Sequence, residues 1–387
     1  MKKKISILLA STSDGGVGKT RILLANEFIR QGCQVDLVLG KQEGQYMEML
    51  DPAVRVVILG TSHALFGVPR LAWYFRKERP DVVLTQRIRV NVLALRARQL
   101  AGVNVPIFVT INTLVAKQME VFDPGKGVKQ LRMLRRYYPQ NDGIIAVSRG
   151  VAEEASNVLG LPAEKIEVIH DPVVTQAMEE RAREPVDHPW LRPGQPPVIL
   201  GMGRLDPVKD FSSLLRAFAK LRAEMDCRLI LLGKGKLRDE LIGLAAELGI
   251  KDQCDLPGFV ENPYAWLSKA ALFVLSSRFE GFSLALAEAL ALGIPAVATD
   301  CPCGPREILD EGRYGPLVPV GDVDALAQAM LTTLRRPPAG DFLRTRGAAF
   351  RADVIAKQYL RAFGVAHVGT MVVPGRAMPS VPVDAAS

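Results

Sequence analysis

Short apolar runs alternate along the chain with longer stretches whose apolar residues recur at helical spacing. In the first half, the runs ISILLA, QVDLVLG, VRVVILG, DVVLTQ, VPIFVTIN and GIIAVS predict buried strands, and KTRILLANEFIRQG predicts a helix that ends at Gly32. Strands that alternate with helices indicate a parallel sheet covered by helices on both faces.

The alternation stops near residues 173–196, where REPVDHPWLRPGQPP is rich in proline and charge and has no periodic pattern. It then restarts with the predicted strands PVILGMG, CRLILLGKG, CDLPGFV, ALFVLSS, IPAVATD and GPLVPV. We therefore predict two Rossmann-like domains of similar size, one at 1–180 and one at 197–345. A helix at 346–365 is expected to pack back toward the first domain, and 366–387 is expected to be a flexible tail.

Ligands of doubly wound sheets bind beyond the carboxyl ends of the strands, near helix N-termini. Two such domains joined by one linker can turn these ends toward each other. The predicted fold class is α/β, with two Rossmann-like doubly wound parallel sheets that face a central cleft. This cleft is the expected active site.

The net charge of the chain limits the classes of partner that we expect. Its 387 residues carry a formal net charge of +8, which favours anionic partners. Residues 124–140 place Lys and Arg among apolar residues, so this segment is either a surface that lies on an anionic membrane or an ordinary solvated helix face. No basic and aromatic strand motif of the RNA-binding kind is visible, so we expect no nucleic-acid partner.

Cysteine usage and hydropathy bear on the compartment. The five cysteines are scattered and form no C-x-x-C pair, which suits a reducing cytoplasm. No apolar run reaches the length of a membrane span, and no signal peptide is evident. The expected location is the cytoplasm, with peripheral contact at the inner membrane surface if the basic segment binds lipid.

The segment SDGGVGKT, residues 13–20, resembles a phosphate-binding loop. That loop reads G-x-x-x-x-G-K-[ST], which would place its first glycine at Ser13, where serine is a poor residue for the sharp turn. Asp14 would also direct a negative charge at a triphosphate. Three interpretations stay open from these residues: a nucleotide triphosphatase loop, a glycine-rich turn between strand and helix, or a turn that serves another ligand.

A second motif lies in residues 276–309. Glu280 leaves a predicted strand, and Gly281, Phe282 and Ser283 form a turn into a helix, with Ser283 as a reasonable N-cap. Unpaired N–H groups at such a helix start can bind phosphate. Glu288 follows within an apolar helix, where a carboxylate is costly to bury unless it is paired, and a ribose diol would pair with it. The alternative is a surface glutamate on an amphipathic helix.

A third motif, GMGRLDPVKDFSSLL, lies between a predicted strand and helix. Arg204 can make a forked contact to a diphosphate, and Lys209 can reach it from the same loop as a point charge. Beside Glu280 and Glu288, these cations complete an anion site. This site faces a carboxylate that can accept hydrogen bonds from a ribose.

These motifs together resemble glycosyltransferase family 4, a family of retaining enzymes with the two-domain GT-B fold. The stretch EGFSLALAEALALGIPAVATD follows the family's E-x7-E pattern, and the stretch from Gly203 to Lys209 follows its G-R-L-x-x-x-K pattern. The N-terminal GGVGKTRILLANE is similar to the family's GGVERVLLNLANE, so Gly15 and Gly16 look like the family's glycine turn. By this resemblance, which spans nearly the whole chain, the likeness of GKT to a triphosphate loop is coincidental.

The resemblance implies that the domain at 1–180 binds the acceptor and that the domain at 197–345 binds the nucleotide-sugar donor. It also implies roles for the matching residues. Arg204 and Lys209 bind the donor diphosphate and stabilise its charge as it leaves. Glu288 holds the ribose, and Glu280 contacts hydroxyls of the transferred sugar. The implied catalytic residues are Glu280, Arg204 and Lys209, and the implied donor-binding residues are Gly16, Arg204, Lys209, Glu280, Gly281, Phe282, Ser283 and Glu288.

The implied reaction moves a sugar, with retention of configuration, from a nucleotide-diphosphate donor to a glycan or lipid-linked acceptor in cell-surface polysaccharide or glycolipid synthesis. UDP-sugars are the commonest donors in the family. We expect no cofactor and no metal, because no D-x-D motif lies beside the site. Asp322 and Asp324 have that spacing but open a late helix, where capping is the better interpretation.

One departure from the family concerns a histidine that many relatives carry near the strand that here reads VTINT. This chain has none there, and Asn112 is the candidate for its contacts with the donor sugar. His170, in VIHDPVV, is expected to be structural.

Three other functions are alternatives. The first is a phosphate-loop ATPase that uses GGVGKT. The second is a sugar-nucleotide epimerase, for which no acid–base pair is visible. The third is a non-catalytic sugar-binding relative, against which the intact set of Arg204, Lys209, Glu280 and Glu288 argues.

Overall fold

The computed structural model describes residues 2–12, 15–41, 44, 46–61, 64–116 and 124–365. Two parallel sheets form, as the alternation of strands and helices predicts. The strands of the N-terminal sheet are β1 Lys4–Leu9, β2 Gln34–Leu39, β3 Arg55–Ile58, β4 Val82–Gln86, β5 Ile107–Ile111, β6 Gly143–Ala146 and β7 Ile166–Val168. Their order is β3-β2-β1-β4-β5-β6-β7, and the direction of winding therefore reverses between β1 and β4.

Helices cover both faces of this sheet. They are α1 Gly16–Arg30, α2 Ala64–Glu78, α3 Ile88–Ala101, α4 Pro124–Tyr137 and α5 Arg149–Leu159. Neighbouring strand residues point to opposite faces, so Ile7 packs with Phe28 of α1, whereas Leu8 packs with Phe75 of α2 and Ala94 of α3. The near-continuous apolar strands of the sequence are explained by this double coverage.

The C-terminal sheet repeats the arrangement in the order β10-β9-β8-β11-β12-β13. Its strands are β8 Val198–Met202, β9 Arg228–Leu232, β10 Cys254–Gly258, β11 Leu272–Leu275, β12 Ala296–Thr299 and β13 Leu317–Val318. The remaining helices are α6 Gln176–Arg181, α7 Phe211–Arg222, α8 Arg238–Glu247, α9 Pro263–Leu267, α10 Leu284–Leu292, α11 Pro305–Ile308, α12 Val323–Arg335, α13 Gly340–Gly347 and α14 Ala352–Ala362.

The connection between the sheets differs from the prediction, because the stretch at 173–196 contains the helix α6. The Thr175 side chain caps it by accepting a hydrogen bond from the Met178 N–H at 3.2 Å. Met178 and Ala182 then pack beside Tyr264 of α9. Six residues are too few to show a helical period in the sequence, so capping and packing decide this helix.

The last described helix, α14, packs on α1. Tyr359 joins the core cluster of the N-terminal domain and accepts a hydrogen bond from Arg21, a fully buried residue of α1 that also donates to Gln86 at 3.0 Å. The predicted tail at 366–387 lies outside the described residues. None of the helices within the described ranges combines the length and apolarity that crossing a bilayer requires.

Candidate active site

The two domains meet where glycines allow backbone to approach backbone. Gly281, in the turn after β11, lies so close to the loop after β5 that a Cβ there would stand 2.1 Å from the Asn112 carbonyl oxygen. The Ser148 hydroxyl, from the start of α5, donates to the Gly281 carbonyl at 2.8 Å. On the other side, a Cβ on Gly16 would stand 2.7 Å from Leu284 of α10. The ends of β1, β5 and β11 thus converge on one cleft.

Glu288 lies on α10 and is buried, with 3% of its surface exposed. The surface-glutamate alternative is therefore wrong. Its partner is Lys19 of α1, in the other domain, whose ammonium pairs with the Glu288 carboxylate and lies 4.8 Å from the ring centroid of Tyr264. Burial opposes the charge on Lys19, but Glu288 and Tyr264 outweigh it and hold the pKa of Lys19 above its ordinary value.

Glu280 and Lys209 form a second pair on the C-terminal side of the cleft. Lys209 Nζ lies 2.5 Å from Glu280 Oε1, and the Ser277 hydroxyl donates to the same oxygen at 2.7 Å. The backbone of the β8–α7 loop, which carries Lys209, is anchored by the Ser276 hydroxyl, which donates to the Lys209 carbonyl at 2.8 Å. The Glu280 carboxylate and the Lys209 ammonium, which are 71 residues apart in the sequence, are thus in contact at the carboxyl edge of the sheet.

Arg204 lies in the same loop as Lys209 but points to solvent. Its side chain is 78% exposed, and its Nε donates to Asp206 Oδ2 at 2.8 Å. The structure therefore brings Lys209, Glu280, Glu288 and Lys19 together in pairs, whereas Arg204 touches none of them. Because it is exposed, the Arg204 guanidinium can also contact an anion that enters from solvent.

Two buried polar atoms beside Gly281 have no hydrogen-bond partner within the described chain: Ser283 Oγ and Asn112 Nδ2. Ser283 occupies the N-cap position of α10, but its side chain makes no capping bond, which corrects the expected capping role. Buried polar groups are almost always paired. The two unpaired groups, an amide nitrogen and a hydroxyl, come from the two domains that meet at Gly281.

Phe282 and His170 connect the domains on the far side of this turn. Their rings stack with centroids 5.4 Å apart, and His170 Nε2 lies 3.1 Å from Glu307 Oε1. Glu307 also accepts a hydrogen bond from the Arg149 N–H at 2.9 Å. Burial alone would raise the pKa of Glu307, yet these hydrogen bonds lower it overall. The contacts of His170 are thus interdomain packing contacts, as expected for a structural residue.

The acidic residues with D-x-D spacing lie apart from the cleft. Asp322 caps α12 by accepting from the Ala325 N–H at 2.9 Å, and Asp324 pairs with Lys220. Within the described ranges, no group of three or more His, Cys, Asp and Glu side chains is placed to hold a metal ion.

Lys19 is the site residue that sequence reasoning missed. The helix α1 begins at Gly16, so Lys19 already lies in its first turn rather than before it. The Thr20 hydroxyl donates to the Val17 carbonyl at 3.0 Å inside the same turn. The available signal was that the glycine turn carries one lysine and α10 one carboxylate, two charges that need partners if both are buried. The loop residues Ser13 and Asp14 lie outside the described residues.

Two family models match the chain. The model described as Glycosyltransferase Family 4 matches residues 14–177, and the model described as Glycosyl transferases group 1 matches residues 182–347. The first match contains the whole GGVGKT segment, and these matches give no support to the ATPase alternative.

Among curated proteins, the chain is similar to the N-acetylgalactosamine-N,N'-diacetylbacillosaminyl-diphospho-undecaprenol 4-alpha-N-acetylgalactosaminyltransferase of Campylobacter jejuni. The two are 32% identical over 58% of this chain and 60% of that protein. This chain is also 31% identical to the lipopolysaccharide core biosynthesis glycosyltransferase LpsE of Rhizobium meliloti, over 58% of this chain and 62% of LpsE. The matched region spans about three fifths of the length of these relatives.

Solved structures support the fold over nearly the full length. The structure of Anabaena Alr3699/HepE in complex with UDP has a TM-score of 0.74 at 19% identity, and the match covers 95% of this chain and all of that one. This likeness agrees with the two-sheet fold of this chain that the sequence predicts. With both halves of the chain matched by family models, and with the family's glutamates and lysine gathered at one cleft, the chain belongs to glycosyltransferase family 4 and has the GT-B fold.

Proposed function

We propose that this protein transfers a sugar from a nucleotide-diphosphate donor, a UDP-sugar, to a glycan or lipid-linked acceptor. The synthesis of polysaccharide, lipopolysaccharide or another lipid-linked glycan is the setting that the relatives' names support. The reaction retains the anomeric configuration and uses no metal, and it takes place in the cytoplasm with an anionic membrane nearby. The epimerase and the non-catalytic alternatives find no support in these names.

The observation that carries this proposal is the buried carboxylate of Glu288 in an otherwise apolar helix that faces the other domain. A carboxylate there needs a partner that donates hydrogen bonds. Lys19 supplies one such partner. The vicinal hydroxyls of a ribose supply two donors when a nucleotide is bound, which explains why a nucleotide site keeps so costly a residue.

The remaining residues have complementary roles in this proposal. Lys209 and Arg204 bind the diphosphate, and their positive charge stabilises the negative charge that grows as the sugar leaves. Glu280 is held by Lys209 and Ser277 and contacts the hydroxyls of the transferred sugar. Ser283 and Asn112 offer unpaired polar atoms on either side of Gly281, suited to the sugar and phosphate between them.

Calorimetric titration of the purified protein with UDP, GDP and ATP, in EDTA and in magnesium, tests the proposal. We expect UDP to bind in EDTA with micromolar affinity, a range ordinary for enzyme substrates. Binding should be lost in Glu288→Ala and kept in Glu247→Ala, which changes an exposed glutamate at the end of α8. Magnesium-dependent ATP binding that survives Glu288→Ala and disappears in Lys19→Ala would overturn the proposal.

The stereochemical part needs its own measurement. The anomeric configuration of the first product formed from a UDP-sugar, read by proton NMR before mutarotation, should match that of the donor. An inverted product would contradict retention while it left the donor assignment intact.

A further inference from the structure

The positive charge of this protein is concentrated on three consecutive helices, α2, α3 and α4. Within their bounds lie eleven of the chain's 49 Lys and Arg residues and one of its 41 Asp and Glu residues. The rest of the chain therefore holds 38 basic and 40 acidic residues and is close to neutral. The single acid, Glu78, is already paired with Lys4 and Arg55. The net charge of +8 is thus a property of this one region.

These helices form one continuous surface. Arg76 of α2 donates to the carbonyl oxygens of Ala101 and Leu100, at the end of α3, at 2.7 and 2.9 Å. Arg96 of α3 donates to the Tyr137 hydroxyl, at the end of α4, at 2.9 Å. We call this surface the three-helix face. It lies on the side of the N-terminal sheet opposite to α1 and α14.

Most cations of the three-helix face have no acidic partner among the described residues, Arg98 with its partner Asp142 being an exception. The exposed ones form no ion pair with any carboxylate in the described part of the chain; they are Arg70, Arg76, Lys77, Arg89, Arg96, Lys129, Arg132, Arg135 and Arg136. An uncompensated field of this size attracts an extended anionic partner.

The same face carries the most exposed apolar side chains among the described residues. Phe66 and Trp73 are each 62% exposed, Val128 is 60% exposed and Leu100 is 52% exposed, while no large apolar side chain described elsewhere exceeds the 45% of Phe259. Phe66 and Trp73 are seven residues apart and thus share one side of α2. Exposed charge and exposed apolar surface, two independent properties, therefore coincide.

We propose that the three-helix face docks on the surface of an anionic lipid bilayer. A negatively charged leaflet attracts clustered Lys and Arg, and its interface accepts aromatic and aliphatic side chains to a shallow depth. Lys77 illustrates the arrangement, since its ammonium lies 4.7 Å from the Trp73 ring centroid, so that the ring and the charge face outward together.

Other occupants fit less well. A nucleic-acid backbone would use the cations, but it offers nothing apolar to Leu100 and Val128 in a sequence-independent complex. A second copy of the chain, placed symmetrically on this face, would bring two strongly positive surfaces together. A bilayer satisfies both the charge and the apolar groups. This inference extends the basic segment at 124–140 to a surface that also includes α2 and α3.

The docking rests on charge and exposure, while its meaning for the acceptor rests on the proposed function. The helix α4 lies beside α5, because Arg135 donates to the Val158 carbonyl at 3.0 Å, and the Ser148 hydroxyl at the start of α5 contacts Gly281 in the cleft. A bilayer against α4 therefore lies on the side of the N-terminal domain that leads to the cleft, where a lipid-linked acceptor would have to enter.

Cosedimentation of the full chain with vesicles tests the docking. We expect binding to vesicles of phosphatidylcholine mixed with phosphatidylglycerol, weakening as salt rises, and no binding to phosphatidylcholine alone. Lys129→Glu/Arg132→Glu and, separately, Phe66→Ser/Trp73→Ser should each weaken binding about tenfold or more. The controls Arg216→Glu/Lys251→Glu and Phe259→Ser change exposed charged and apolar groups of the C-terminal domain and should bind as the parent does.

Fluorescence gives a second, local readout. In a Trp190→Phe/Trp266→Phe background, the emission of Trp73 should move to shorter wavelength when anionic vesicles are added, and it should stay unchanged with neutral ones.

Equal binding by the charge-reversal variant and its control would overturn the proposal. So would binding to duplex DNA as tight as to vesicles, or a dimer in sedimentation velocity that Phe66→Ser/Trp73→Ser abolishes. Calorimetry with UDP on the same samples reports the donor site independently, so failure of one proposal is distinguishable from failure of the other.

Discussion

Lys19 and Glu288, 269 residues apart in the sequence and in different domains, form an ion pair in the cleft with little solvent contact on either side chain. The pair joins the first turn of α1 to α10, the two helices whose N-terminal ends face the cleft. The carboxylate that the proposed function assigns to the ribose thus has its charge partner in the opposite domain. If the proposed function is correct, nucleotide binding at Glu288 and contact between the domains involve the same carboxylate.

Lys19→Met tests this link. It should lower the free energy of unfolding by about 3 kcal/mol, because removal of one partner leaves a buried charge without compensation. The double variant Lys19→Met/Glu288→Gln should recover most of this loss, since the stranded charge is gone. Thermal unfolding of the parent, both single variants and the double variant completes the cycle.

A matched control for that cycle is the pair of Lys220 and Asp324, which also joins two helices but is exposed on both sides. Lys220→Met should change stability by less than about 1 kcal/mol, because water screens exposed pairs. Equal effects of Lys19→Met and Lys220→Met would show that the interdomain pair contributes no more than a surface contact.

Lys209→Ala should slow sugar transfer strongly. Its partly buried ammonium pairs with Glu280, and loss of a preorganised charge that stabilises a leaving group costs about 10²- to 10³-fold in kcat. Turnover of a UDP-sugar in the presence of acceptor is the measurement, with Lys220→Ala as the control for loss of a lysine. Near-normal kcat in Lys209→Ala would remove this residue from the catalytic set.

Much of the fold was predictable because both sheets are buried on two faces and their strands read as uninterrupted apolar runs. The helix α6 was not predictable, since its six residues depend on the Thr175 cap and on packing against Tyr264. Short elements held by tertiary contacts leave no periodic signal.

The sequence points to the part of the candidate site in which one segment holds both the charge and the turn, as around Glu280 and Glu288. Lys19 was not predicted as a site residue, because its partner comes from the other domain and no spacing rule links residues across a cleft. Ser283 shows the converse: its position as N-cap was readable, but its unpaired hydroxyl depends on which groups surround it in three dimensions.

Gly281→Ala should reduce activity far more than an ordinary glycine substitution. A methyl group at this position would stand 2.1 Å from the Asn112 carbonyl oxygen, which is backbone and cannot move aside as a side chain can. The domains would have to separate, and the radius of gyration from X-ray scattering should rise as kcat falls.

Gly243→Ala provides the control, because a methyl group on this glycine of α8 meets nothing within 4 Å. It should raise stability by about 0.5–1 kcal/mol, the usual gain of alanine over glycine inside a helix. Unchanged activity and unchanged scattering in Gly281→Ala would mean that the contact between Gly281 and Asn112 is not needed in the working enzyme.

Glu307→Gln should show a pH-dependent loss of stability. The pKa of Glu307 is lowered from its ordinary value of 4.5, since the hydrogen bonds from His170 and the Arg149 N–H outweigh the effect of burial. A carboxyl group with a lowered pKa in the folded state stabilises the protein above its unfolded pKa, and this contribution disappears as the pH falls through the folded value. The melting temperature of Glu307→Gln should therefore lie below that of the parent at neutral pH, and the difference should shrink below about pH 4.5.

Glu311→Gln removes an exposed carboxylate that pairs with Arg306 and should lower the melting temperature much less. A difference between parent and Glu307→Gln that stays constant across this pH range would mean that the carboxylate charge of Glu307 does not hold the two domains together.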